Sequence, residues 1–138
     1  MNSHRVLVVG VGSIGERHVR CFGRTDRCDV SICEINESLR QTIADRYAIG
    51  SAFGNLDDAL NDPSDAAVIC VPAHLHIRSA TKLADAGVHL LIEKPLSTRF
   101  ERIARSFSPV QAKTLTAAVA YVQPLHPAPA ALPLAIRT

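Results

Sequence analysis

The sequence predicts an α/β protein in which helices cover both faces of a doubly wound parallel β-sheet. Three observations lead to this prediction. Short apolar segments alternate with segments of helical periodicity along most of the chain. The strand-like segments are apolar on both faces, as is typical of buried parallel strands. The first of them, residues 5–9, runs directly into a glycine-rich turn and then a helix.

The elements can be assigned in order along the chain. Strands are expected at residues 5–9, 29–33, 48–54, 66–71, 88–92 and 115–121, with 48–54 as a short edge strand. The helix after the glycine turn should end at Gly23 and bury the positions Ile14, His18, Cys21 and Phe22. Further helices are expected at 36–47 with Asn36 as N-cap, after Asn55, at 74–86 and at 98–107. Residues 1–122 would form one domain, and the proline-rich segment 123–138 an irregular tail.

Composition excludes several classes of function. Of the 138 residues, 47% are hydrophobic and 20% are charged, and 15 basic against 13 acidic side chains leave a charge of +2. So small an excess, without a basic block, argues against nucleic-acid binding. No apolar run is long enough to span a bilayer, and the chain starts almost directly with a strand, which leaves no room for a targeting segment. We therefore expect a cytoplasmic protein without a metal site, whose four cysteines, without a CxxC pair, are buried and reduced: Cys21, Cys28, Cys33 and Cys70.

The glycine turn matches the pattern GxGxxG through Gly10, Gly12 and Gly15. Between a strand and a helix, this pattern is typical of sites that bind the pyrophosphate of a dinucleotide. Gly10 would permit the tight turn, Gly12 the close approach of the phosphates, and Gly15 the packing of the helix. The backbone at Ser13 and Ile14 would then present free N–H groups to the anion. The alternative is an ordinary glycine turn without a ligand.

Glu34 follows the second predicted strand, where an acidic side chain can accept hydrogen bonds from the adenosine ribose of NAD. The same charge would repel the 2′-phosphate of NADP, so NAD is the favoured cofactor. Glu34 could also be a solvated strand end. A methyltransferase can share a glycine-rich first turn and an acid after the second strand, but the spacing of the three glycines favours the dinucleotide.

Three further segments give the chain a family resemblance. The first helix reads GSIGERHVR, the fourth strand leads into VPAHLH, and the fifth strand ends in LIEKPLS. With this ordered set, the chain resembles the glucose-fructose oxidoreductase and inositol dehydrogenase family (Gfo/Idh/MocA). The resemblance implies a Rossmann-type sheet of order 3-2-1-4-5-6 and NAD(P)-dependent hydride transfer to or from a hydroxyl carbon of a sugar, cyclitol or related polyol.

The resemblance also implies roles for individual residues. Lys94 would be the catalytic lysine, which hydrogen-bonds the reacting hydroxyl and moves its proton, with Glu93 and Pro95 helping to place it. Pro95 would follow a cis peptide bond. At the end of the fourth strand, Val71 and Pro72 would line the cofactor cleft. Outside the motif, a lysine in this position would be an ordinary surface charge.

The histidines are less informative. His76 could line the cofactor cleft or satisfy the start of a helix, and both interpretations stay open. His18 is favoured as a packing residue over a site residue. His74 and His89 are expected to be structural or exposed.

Members of the family carry a second domain after Tyr121, which would supply the substrate contacts opposite Lys94. The expectation for a chain without it is cofactor binding with little or no turnover, and an exposed apolar surface that favours a homo-oligomer. Two alternatives follow: a non-catalytic NAD(P)-binding module, or a truncated remnant without a function of its own.

Overall fold

Strand β1 (His4–Val9) lies inside a parallel sheet in the computed structural model, which describes residues 3–99, 103 and 107–121. The other strands are β2 (Cys28–Cys33), β3 (Ala52–Phe53), β4 (Ala66–Ile69), β5 (His89–Ile92) and β6 (Ala117–Val119). Their order is β3-β2-β1-β4-β5-β6, and each neighbouring pair is parallel. The predicted fold class and strand order are confirmed, and the order reverses between β1 and β4.

Helices lie between the successive parallel strands in the described part of the chain. They are α1 (Ser13–Gly23), α2 (Glu37–Tyr47), α3 (Leu56–Ala59), α4 (His76–Asp85) and α5 (Ser108–Ala112), and a 3₁₀ turn (Ala73–Leu75) leads into α4. Asn36 caps α2 as predicted, since its side chain accepts a hydrogen bond from Leu39 N at 3.0 Å. Asn55 caps α3 in the same way, through Asp58 N at 2.8 Å.

The sheet separates two apolar clusters. Because successive strand side chains point to opposite faces, Val8 packs with α1 and α2, whereas Leu7 and Val9 pack toward α4. Burial of one such aliphatic side chain stabilises the fold by about 1.5–3 kcal/mol. The centres of the two clusters are Val8, Val19, Ile32 and Ile43 on one face and Leu7, Ile69, Leu83 and Ile92 on the other.

Several strands are shorter than predicted. Ala48 ends α2 in the left-handed conformation at φ +52°, so the strand expected at 48–54 is reduced to Ala52–Phe53. The fourth strand ends at Ile69 and excludes Val71, because its partner strand β1 ends at Val9 and turns away at Gly10. Likewise, the segment expected at 115–121 pairs only over Ala117–Val119.

The buried face of α1 differs from the prediction. Gly15 and Val19 are its buried residues, whereas Ile14 is 38% exposed and Cys21 is exposed. Two residues along a helix turn by about 200°, so burial of Val19 directs Cys21 to solvent. The prediction that all four cysteines are buried is therefore wrong for Cys21, while Cys33 is buried and Cys28 and Cys70 are half-buried.

The C-terminal part of the sequence is only partly described. The helix expected at 98–107 and the tail 123–138 lie largely or wholly outside the described residues. A helix that was not predicted, α5, begins at Ser108 with Pro109 in its first turn. Proline fits this position because the first N–H groups of a helix have no intrahelical partner. Pro109 therefore starts this helix.

Candidate functional site

The glycine turn between β1 and α1 is closely packed at two positions and open at the third. Gly10 has φ +85°, and a Cβ atom there would lie 2.9 Å from Val71 N. A Cβ atom on Gly15 would lie 1.9 Å from Gly10 O, so a side chain cannot fit between the turn and α1. Around Gly12, in contrast, no atom lies within 4 Å of the position of a Cβ atom. Gly10 and Gly15 thus flank the open space at Gly12, and neither of them has room for a side chain.

The N-terminus of α1 lies directly beside the open space at Gly12. Gly12 is the N-cap residue and offers no side chain to the free N–H groups of the first turn. Those N–H groups and the positive end of the helix dipole create a site suited to an anion. Ser13 and Ile14, the first two residues of α1, are both exposed here.

A cavity of about 850 Å³ extends from this turn across the ends of β1, β2 and β4. A volume of this size lies within the range of ligand and cofactor pockets. The predicted site residues that line it are Gly10, Gly12, Ser13, Ile14, Glu34, Val71 and Pro72. Gly15, His76 and the segment 93–95 are not among its lining residues.

Glu34 lies at the end of β2 with its carboxylate held by backbone N–H groups. Oε2 accepts a hydrogen bond from Val11 N at 3.0 Å, and Oε1 accepts one from Asn36 N at 2.9 Å. Arg40 Nη1 donates to the backbone oxygen of Glu34 at 2.7 Å. The carboxylate is therefore fixed in orientation beside the glycine turn, and each of its oxygens retains a lone pair for a further donor.

The segment Glu93, Lys94 and Pro95 follows β5. The peptide bond between Lys94 and Pro95 is cis, as predicted. Lys94 is exposed, and its ammonium group forms no hydrogen bond or ion pair within the described part of the chain. Glu93 is only 9% exposed, and its Oε2 accepts a hydrogen bond from Lys94 N at 3.3 Å.

His18 contacts this segment from α1. Its Nε2 lies 2.7 Å from Glu93 Oε1, and its ring stacks on Phe22 with the centroids 6.2 Å apart. The predicted packing role is therefore accompanied by a polar contact that sequence reasoning missed. The two residues are 75 positions apart, and no local pattern in the sequence links them.

His76 joins two loops beneath the site. The residue is 1% exposed, with Nδ1 2.8 Å from Pro95 O and Nε2 2.7 Å from Val71 O. It connects the segment after β4 with the segment after β5. The ring therefore contacts the backbone oxygens of these two loops, and His76 is not among the residues that line the cavity.

Several cavity residues were not singled out from the sequence. Ile35 is 84% exposed, and Arg78 and Lys82 line the cavity from α4. Lys82 Nζ lies 2.5 Å from Asp57 Oδ1 of α3, so this ion pair spans the two helices at the cavity. The spacing of Arg78 and Lys82 by one helical turn could have indicated a common face.

Two thiols also line the cavity. Burial, with a smaller effect of the charge on Glu34, raises the pKa of Cys33 to about 11. Burial, with the nearby charge of Glu93, raises the pKa of Cys70 to about 12. Both side chains are thus neutral near pH 7 and contribute small apolar surfaces to the wall.

Among the described residues, no cluster of three or more histidine, cysteine, aspartate or glutamate side chains could hold a metal ion. None of the described helices has both the length and the apolar character needed to cross a membrane.

The chain is similar in sequence and structure to several known dehydrogenases. Inositol 2-dehydrogenase of Corynebacterium glutamicum strain R is 35% identical over 75% of this chain and 32% of its own length. UDP-N-acetylglucosamine 3-dehydrogenase of Acidithiobacillus ferrooxidans is 30% identical over 90% of this chain and 39% of its own. The WlbA dehydrogenase of Bordetella pertussis, solved in complex with NADH and UDP-GlcNAcA, superimposes with a TM-score of 0.86 at 28% identity, over 99% of this chain and 42% of its own.

The chain thus spans well under half the length of each of these proteins. A family model described as an oxidoreductase family with an NAD-binding Rossmann fold matches residues 4–121, which include the glycine turn, Glu34 and the Glu-Lys-Pro segment. The chain therefore belongs to the Gfo/Idh/MocA oxidoreductase family, of which it contains the NAD-binding Rossmann fold.

Proposed function

We propose that this chain binds NAD(H) as the cofactor-binding part of an oxidoreductase that acts on a hydroxyl carbon of a sugar, cyclitol or related polyol. The observation that carries the proposal is the open space at Gly12, at the N-terminus of α1 and on the wall of the large cavity. Residues 1–122 would be the cofactor domain. The substrate contacts opposite it would come from protein outside that domain.

The residues present fit a dinucleotide. The pyrophosphate would lie over Gly12 against the N–H groups of Ser13 and Ile14, where no side chain competes for the space. Val71 and Pro72 line the same cavity from the end of β4. Because the strand order reverses between β1 and β4, this is also where open α/β sheets bind their ligands.

Glu34 favours NAD over NADP in this proposal. Its oriented carboxylate has lone pairs left to accept hydrogen bonds from the two adenosine ribose hydroxyls. A 2′-phosphate in the same place would bring two negative groups together. NADP is therefore the less favoured cofactor.

Lys94 is proposed as the catalytic residue. When bound, the nicotinamide ring accepts or donates the hydride. Lys94 would donate a hydrogen bond to the reacting oxygen of the substrate and move its proton, because its ammonium group has no other partner in the described part of the chain. Glu93 and Pro95 would set its position through the backbone, and His76 would support Pro95 from below.

The substrate class rests on the relatives. Two of them are named as dehydrogenases of inositol and of UDP-N-acetylglucosamine, and both of these named compounds carry several hydroxyl groups. A second candidate function is a non-catalytic NAD(H)-binding module. The exposed ammonium group of Lys94 favours this alternative, because hydride transfer requires a substrate held against the ring with water excluded.

Calorimetry and a turnover assay would test both candidates. We expect NADH to bind to the wild-type chain and to Lys94→Ala with similar affinity. In a screen of sugars and polyols with NAD, any turnover should disappear in Lys94→Ala and persist in Lys113→Ala, a control lysine that directly follows α5 and does not line the cavity. Binding without turnover would favour the module. Turnover that survives Lys94→Ala would contradict the catalytic role, and absence of NADH binding would contradict the whole proposal.

A further inference from the structure

Arg78 is an unpaired cation on the wall of the cofactor cavity. It lies on α4, one helical turn before Lys82, and both side chains line the cavity. Lys82 is neutralised by Asp57 at 2.5 Å. The guanidinium of Arg78 forms no hydrogen bond or ion pair with any described residue, and its side chain is exposed.

The remaining acid of the cavity does not explain Arg78 either. Both carboxylate oxygens of Glu34 are held by backbone N–H groups, at 3.0 and 2.9 Å. Within the described residues, Lys82 is thus a paired cation of the cavity wall, whereas the planar guanidinium of Arg78 has both faces free of polar partners. An arginine whose plane is not used by the protein is available to stack on an aromatic ring.

Ile35 borders the same cavity from the end of β2. The side chain is 84% exposed, the highest value among the exposed large hydrophobic residues of the described part. Ile35 and Arg78 reach the cavity from beyond the ends of β2 and β4, which flank β1 on either side. Both side chains line this cavity, so a flat ring bound in it has an apolar group and a planar cation within the same wall.

We propose that Arg78 stacks on the adenine ring of NAD(H), whose other face rests on Ile35. This inference rests on the proposed binding of NAD(H). It assigns to Arg78 the part of the affinity that comes from the adenine ring. The planar guanidinium stacks flat on one face of the ring, which an ammonium group cannot do, and Ile35 supplies apolar contact to the other face. Glu34 would hold the neighbouring ribose, which places the adenine at this end of the cavity.

A contact between Arg78 and the 2′-phosphate of NADP is the competing assignment. The fixed negative charge of Glu34 disfavours a phosphate in the ribose position. Stacking requires no phosphate, and it acts equally on NADH and NADPH. The two assignments therefore differ in which nucleotides respond to a substitution of Arg78.

Equilibrium binding to the intact chain would test the assignment with four nucleotides: NADH, NADPH, ADP-ribose and reduced nicotinamide mononucleotide. The variants are Arg78→Gln and Arg78→Lys. The control is Arg27→Gln, which removes the same charge directly before β2, at the end of the strands opposite to the cavity. We expect Arg78→Gln to weaken NADH and ADP-ribose roughly 3- to 30-fold. The mononucleotide, which has no adenine, and the control variant should show no change.

Each other outcome decides against the assignment. A loss confined to NADPH would indicate the phosphate contact, and full affinity in Arg78→Lys would indicate a simple effect of charge, because lysine has no planar group to stack. Unchanged NADH binding in Arg78→Gln would leave the proposed function intact and overturn the stacking. A wild-type chain that binds neither NADH nor ADP-ribose would overturn both.

Discussion

His18 on α1 and Glu93 after β5 form a part-buried contact, with Nε2 2.7 Å from Oε1. This contact joins the helix that begins at the glycine turn to the segment that carries Lys94. The second oxygen of Glu93 accepts the hydrogen bond from Lys94 N, so one carboxylate links α1 with the backbone of the lysine. The cofactor turn and the proposed catalytic residue are therefore connected by side chains as well as by the sheet.

Loss of this contact should destabilise the fold. The side chain of Glu93 is only 12% exposed, and in His18→Leu its Oε1 atom would lose the contact with His18 Nε2. We expect the free energy of unfolding to fall by about 1–3 kcal/mol, measured by urea denaturation. The exposed control His4→Leu should change it little. In a double-mutant cycle with Glu93→Gln, additive effects would contradict a direct interaction between the two side chains.

Gly12→Ala and Gly15→Ala form a matched pair that separates ligand binding from packing. A Cβ atom at Gly15 would lie 1.9 Å from Gly10 O, so this variant should lose several kcal/mol of stability or fail to fold. At Gly12 no protein atom lies within 4 Å of such an atom. Gly12→Ala should therefore fold at a cost below about 1 kcal/mol and lose affinity for NADH, since the methyl group takes the space proposed for the phosphates.

Thermal unfolding followed by circular dichroism, and titration with NADH, would measure the two effects. If Gly12→Ala bound NADH as tightly as the wild type, the pyrophosphate would not lie where we propose. A stable Gly15→Ala would mean that α1 can shift away from the turn.

Local signals were sufficient to predict the architecture. The strand before Gly10, the cap at Asn36 and the apolar segment after Ala66 each depend on a few neighbouring residues, and the structure reproduces all three. Six such segments in alternation, together with the glycine turn, leave few possible sheet topologies. These signals predict a doubly wound parallel sheet, whereas the strand order 3-2-1-4-5-6 is implied by the family resemblance.

Contacts between distant residues could not be predicted in this way. The buried face of α1 is set by Gly15 against Gly10, a contact that a count of apolar residues overlooks, so Cys21 was assigned to the wrong side. The partners of His18 and His76 lie in the segments that follow β4 and β5. The spacing of Arg78 and Lys82 indicates a common helix face, but the sequence could not show that Lys82 is paired with Asp57 of another helix while Arg78 is not.

The cysteines should differ sharply in reactivity. Only the thiolate is alkylated, and the pKa of about 11 for Cys33 leaves about one thiol in a thousand ionised at pH 8. Cys70, with a pKa of about 12, is ionised less still, whereas Cys21 is exposed. We expect iodoacetamide at pH 8 to modify Cys21 first, as mapped by mass spectrometry of peptides. Since both pKa values are raised, the reaction of the other two should accelerate about tenfold for each pH unit toward pH 11 while the fold persists.

The Cys21→Ser variant gives the control for this experiment. Its labelling at pH 8 should be slow, apart from any contribution of the half-buried Cys28. Modification of Cys70 at the rate of Cys21 would show that the cavity wall opens to the reagent.

Glu34→Gln should weaken the preference for NADH over NADPH. The substitution keeps the size of the side chain and removes the charge that would repel a 2′-phosphate, so the ratio of the two affinities should move about tenfold or more toward NADPH. The amide nitrogen of glutamine accepts no hydrogen bond, so either Val11 N or Asn36 N loses its acceptor, and the variant should lose about 1 kcal/mol of stability. Binding is therefore compared at a temperature where both proteins are folded.

Glu37 is an exposed acid in the first turn of α2, so Glu37→Gln serves as the control for net charge. An unchanged preference in Glu34→Gln, or an equal shift in the control, would mean that the carboxylate at the end of β2 does not face the adenosine ribose.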